Sequence, residues 1–86
     1  MVIGVNRVFE HGGRQYHIQA EDLGVEKACF EVRVYDHGTV LWHKKVAYND
    51  VVARGLPKID QDDELRSLME KTIHTVQAAI AKGKLD

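Results

Sequence analysis

The sequence predicts a single α+β domain over residues 1–86. A four-stranded antiparallel β-meander is followed by a short helix and one long C-terminal amphipathic helix packed on one sheet face, in the order ββββαα. Three observations predict it. Apolar residues alternate with a period of two over the first two thirds of the chain. Gly12-Gly13 and Asp36-His37-Gly38 interrupt that alternation where tight turns would fall. From Asp60 the apolar period lengthens to 3.6.

In the first strand Ile3, Val5, Arg7 and Phe9 alternate with Gly4, Asn6 and Val8, and in the second Tyr16, Ile18 and Ala20 alternate with Gln15, His17 and Gln19. Gly12-Gly13 can supply the positive φ that a two-residue type I′ turn needs at both central positions. That turn sets Phe9 opposite Tyr16 and Val5 opposite Ala20, which keeps the apolar sides together. After a loop around residues 21–26, Ala28, Phe30, Val32 and Val34 share one face of a third strand, and Val40, Trp42, Lys44 and Val46 form its partner. A three-residue turn, Asp36-His37-Gly38, with Gly38 left-handed in a bulge, would set Val34 against Val40, Val32 against Trp42, Phe30 against Lys44 and Ala28 against Val46. The Lys44 stem would then lie on apolar surface with its ammonium in water.

Asn49 is the expected cap of a short helical turn over 50–54, which Gly55 and Pro57 end, with Val51 or Val52 and Leu56 pinning it to the core. Beyond Asp60, Leu65, Leu68, Met69, Thr72, Ile73, Val76, Ala79 and Ile80 fall on one stripe, opposite Arg66, Glu70, Lys71, His74 and Gln77. Asp60, Asp62, Asp63 and Glu64 suit the positive end of the helix dipole, and Lys82-Gly83-Lys84 its negative end.

Bulk composition excludes several classes. The 12 Lys+Arg balance 13 Asp+Glu, and the balance holds locally, with six basic and six acidic residues before Asn49 and six and seven from there on. No charged arm exists, which weighs against a nucleic-acid binder. No apolar run is long enough to span a bilayer, and Asn6 and Arg7 break the N-terminus before a signal-peptide core develops. The initial Met predicts a complete small protein. Cys29 is the only cysteine, so no internal disulfide or Cys-x-x-Cys site exists and a cytoplasmic location is expected.

With one long helix, the second sheet face must meet water or a partner. The expected pairing puts Glu31 opposite His43 and His17 beside Cys29 or Glu31. His17, Cys29, Glu31 and His43 are therefore the candidate metal ligands, paired strand residues lying about 5 Å apart. The plainer reading is a cross-strand charge pair on a solvated face, because no H-x₃-H or H-E-x-x-H spacing is present. Cys29 beside His17 could form a thiolate–imidazole pair, although a lone strand cysteine usually behaves as a small apolar residue. Arg33, Tyr35, Leu41, His43 and Lys45 make up the candidate binding face. Its cations and single stacking ring fit single-stranded nucleic acid weakly, with Glu31 among them. Val2, Val8 and Leu41 add apolar surface there, and the first strand, as an edge, invites pairing.

The functional expectation is a non-catalytic protein-binding or assembly module without a cofactor. It would act as a homodimer or with a protein partner through the open sheet face or the first-strand edge. The alternative is a weak nucleic-acid-binding or metal-binding domain using that face.

Overall fold

The computed structural model describes residues 3–85. Its elements are β1 (Gly4–His11), β2 (Arg14–Asp22), β3 (Cys29–Asp36), β4 (Thr39–Ala47), α1 (Asn49–Ala53) and α2 (Lys58–Ala81). The strands form one open antiparallel sheet in the order β1-β2-β3-β4, so the expected ββββαα meander is the observed one, with β1 and β4 as edges. Val2, expected on the open face, lies outside the described residues.

The first hairpin follows the sequence pattern. Gly12 and Gly13 have φ of 60° and 76°, and Phe9 faces Tyr16 and Val5 faces Ala20. The second differs. His37 and Gly38, at φ 51° and 82°, form a two-residue turn between the paired Asp36 and Thr39, and the extra residue falls later, at Leu41. A turn with two positive φ values twists as the strands do, so the hairpin closes tightly and the bulge restores the alternation. Trp42, Lys44 and Val46 stay on the helix side, but opposite Val34, Val32 and Phe30, two places from the expected pairing. Lys44 therefore lies beside Val32, not Phe30. Val40 moves to the open face opposite Tyr35, while Leu41 turns to the helix side beside Tyr16 and Ile80.

Ala28 is not a strand residue. At φ 50° it closes the 23–28 loop, donating its N–H to the Gly24 carbonyl (2.9 Å) and accepting from the Tyr48 N–H (2.7 Å). Nor does Asn49 cap α1. Tyr48 occupies the cap position, and its carbonyl accepts from Val51 and Val52 at 3.0 and 3.3 Å, with no side-chain cap bond. α2 starts at Lys58, two residues before Asp60, because the non-helical Pro57 offers its carbonyl to the Gln61 N–H (2.9 Å). It ends as expected: Gly83, at φ 67°, donates to Ile80 and Lys84 donates to Ala79, satisfying two terminal carbonyls.

The core lies between the sheet and α2. Leu65, Met69, Ile73, Val76 and Ile80 of the helix are buried against Val5, Ile18, Ala20, Phe30, Val32 and Val34. Each large side chain so buried is worth about 1.5–3 kcal/mol. Tyr48, fully buried at the far end, stacks on Phe30 with ring centroids 6.5 Å apart and donates its hydroxyl to Asp22 Oδ1 at 2.5 Å. The same oxygen accepts the Gly24 N–H at 3.0 Å. At the other end Arg14 lies over the Tyr16 ring and pairs with Asp36, tying the two hairpins together. The neighbouring Arg14 and His37 hold the Asp36 carboxyl below the usual range.

Two stability outcomes are expected. A left-handed backbone costs a non-glycine residue about 1–2 kcal/mol, against about 0.5–1 kcal/mol for the extra chain entropy of glycine. Ala28→Gly should therefore raise the urea midpoint at unchanged slope, and a lower midpoint would contradict the strain at Ala28. Burial, then the bond to Asp22, raises the Tyr48 pKa above its ordinary 10.0. The folded state thus keeps a proton that the unfolded chain releases, and stability should fall above pH 10 by about 1.4 kcal/mol per unit from this group. Tyr48→Phe should remove that slope while costing about 1–3 kcal/mol at neutral pH, through the partner lost by Asp22.

Candidate functional site

The sheet face turned away from α2 is organised by register into rows across the strands. One row runs Val8–His17–Tyr35–Val40 and the next Asn6–Gln19–Arg33–His43. A third runs Gly4–Glu21–Glu31–Lys45, beyond which Cys29 pairs with Ala47. These residues lie on one side because directly paired residues of neighbouring strands share a face and each strand alternates.

The first row is apolar at its ends. Val8 is 54% exposed and Val40 47%, with the half-buried Tyr35 and exposed His17 between them. Asn6, His17, Gln19, Tyr35 and Gly38 line an open depression of about 350 Å³ beside it. The charged groups sit to one side. Arg33 donates to Glu31 Oε1 at 2.5 Å, and His43 Nδ1 approaches Glu31 Oε2 at 3.6 Å. The Tyr35 hydroxyl and the Glu31 carboxylate both raise the Arg33 pKa above its ordinary value.

Of the four candidate metal ligands, only Glu31 and His43 come together, and they do so diagonally. Arg33, not Glu31, stands opposite His43, and His17 pairs with Tyr35 instead of Cys29 or Glu31. Four strand residues separate Tyr35 from Glu31 and six separate it from Cys29, about 13 and 20 Å at 3.3 Å per residue. The thiolate–imidazole pair of Cys29 and His17 is therefore not formed. The expected row fails because the two-residue turn and the Leu41 bulge each move β4 by one place and the β2–β3 register moves His17 toward the turn. Among the described residues no three His, Cys, Asp or Glu side chains converge as a metal site.

Of the candidate binding residues, Arg33, Tyr35, His43 and Lys45 lie on this face, and Leu41 does not. Val40 replaces it. The signal was present, since Val40-Leu41-Trp42 is a run of three apolar residues where strict alternation allows none. A second feature escaped the periodic pattern altogether. Between β4 and α2 lies an open groove of about 330 Å³ with Trp42, Val46, Val76, Ala79 and Leu85 on its walls and Lys44 and Lys84 beside them.

No family model matches the chain, and neither the curated proteins nor the solved structures contain a match to it.

The spread of His17, Cys29, Glu31 and His43 predicts that untagged protein carries no stoichiometric zinc. Elemental analysis checks this, and one zinc per chain lost on Glu31→Gln would reinstate the site.

Proposed function

We propose that the protein is a non-catalytic binding or assembly module whose working surface is the open sheet face. The observation that carries this is the row Val8–His17–Tyr35–Val40, which crosses all four strands with exposed valines at both ends. A row with apolar ends, flanked by Asn6, Gln19 and Arg33, suits a protein surface that adds apolar contact at the valines and hydrogen bonds between and beside them. A second copy stacked face to face, or paired through the β1 edge, is the simplest partner, since it would supply the layer that a small two-layer domain lacks.

The alternative reading, nucleic acid or a metal ion on the same face, draws on Arg33, His43, Lys45 and Tyr35. It has less support, because Glu31 engages both Arg33 and His43. No helix among the described residues is long and apolar enough to cross a membrane. The lone Cys29 suits a reducing compartment, and we place the module in the cytoplasm on that ground.

A photo-cross-linking residue substituted at Val8 tests the reading in cells, with Glu26, exposed in the 23–28 loop, as the control position. A discrete adduct from position 8 alone is the expected result, and one of twice the 9.8 kDa chain mass would identify a second copy. Equal, diffuse labelling from both positions would overturn it. So would a shifted single-stranded probe at about 50 mM salt, where phosphate contacts are strongest, if Arg33→Ala abolished the shift.

A further inference from the structure

A different surface, on the helix side of the sheet, carries a second inference. β4 is an edge strand, so the main-chain groups on its outer side have no strand partner among the described residues. The bulge at Leu41 interrupts it near the turn and leaves Trp42 to Ala47 as a regular run, about 20 Å long at 3.3 Å per residue. α2 packs closest to β1 and β2, so the helix side of this run is not roofed over. It opens instead into the groove between Trp42, Val46, Val76 and Ala79.

The charge of this edge is one-sided. The charged side chains lining the groove, Lys44 and Lys84, are both cationic, and neither is in an ion pair among the described residues. On the opposite face the same run presents Lys45, and His43 beside Glu31 at 3.6 Å. An edge strand with apolar sockets at Trp42 and Val46 and cations at alternate and intervening positions is complementary to one kind of occupant. We propose that β4 takes up an extended peptide segment of a partner protein as a fifth strand, with apolar side chains entering the groove and carboxylates meeting Lys44, Lys45 and Lys84.

Main-chain pairing to an exposed edge supplies affinity in such a mode, and pockets for alternate side chains supply selectivity. A second copy fits the edge poorly, because two-fold antiparallel pairing of β4 with itself brings the lysines of both strands together, and like charges across strands repel. Lysines on an edge also deter neutral and apolar strands. Here they select an acidic one.

The probe is an acetylated, amidated seven-residue peptide with valine at positions 2 and 6, glutamate at positions 3, 4 and 5 and threonine elsewhere, so that the valines face Trp42 and Val46 and the glutamate between them faces Lys44; it is titrated into the full chain. Trp42, the only tryptophan, reports from the groove. A saturable blue shift of its emission is expected, together with slowed amide exchange over residues 42–47. Lys44→Glu, an exposed substitution that leaves the core intact, should weaken binding by about tenfold, and the peptide with lysine in place of glutamate should give no shift. Methylating alternate peptide nitrogens should abolish binding at unchanged charge. The proposal is overturned by a silent Trp42 with folded protein, or by equal binding of the methylated peptide, which would mean charge attraction alone. It is also overturned by a dimer in sedimentation whose β4 amides are already protected, which would make a second copy the occupant.

Discussion

One straight helix against a twisted four-stranded sheet is the constraint from which the rest of this molecule follows. A sheet rotates by roughly 20–25° from strand to strand, so a helix aligned with one pair of strands diverges from the other pair. α2 packs closest to β1 and β2, where Arg7 of the edge strand reaches Glu70 at 2.5 Å, and lies less close to β4. The burial of the strands records it. β2 and β3 contribute fully buried side chains, whereas Trp42 and Val46 of β4 are only partly covered. The exposed Arg7–Glu70 pair adds little energy by itself. The seating of the helix comes from the apolar stripe of Leu65, Met69, Ile73, Val76 and Ile80.

Tyr48 solves the complementary problem at the end of the sheet. Its ring closes the core over Phe30, its hydroxyl and its N–H hold Asp22 and Ala28, and its carbonyl starts α1. A single residue thus joins the end of β2, the 23–28 loop and the turn from sheet to helix. A buried phenol is tolerated there because its hydroxyl has a partner, and Asp22 accepts a second bond from the Gly24 amide. Arg14 and Asp36 do the corresponding work at the hairpin end, in water and with less at stake.

The incomplete cover leaves two surfaces of different chemistry. The open face is mixed: exposed valines at its margins, amides and a tyrosine between them, and a carboxylate that occupies the nearby cations. The β4 edge is cationic on both sides and apolar in its groove.

Much of the fold was legible because it is written in local periods. The alternation of β1 and β2 and the Gly-Gly turn specify their register, and the 3.6 period of α2 with its Gly83 stop specifies a long helix, since neither depends on distant residues. The second hairpin was legible only in part. His37-Gly38 serves a two-residue or a three-residue turn equally well by composition, but a two-residue turn alone would send Trp42 and Val46 to the open face, so the alternation pointed to the three-residue turn and the compensating bulge at Leu41 was not legible. The shorter turn exchanged Val40 for Leu41 on the open face, and turn and bulge together parted Glu31 from its expected place opposite His43. By itself the sequence determined the element order, the apolar faces and the one long covering helix. Tertiary structure decided the register of β4, the burial of Tyr48 and the lean of α2 that opens the groove, because each results from fitting whole elements together under sheet twist and close packing.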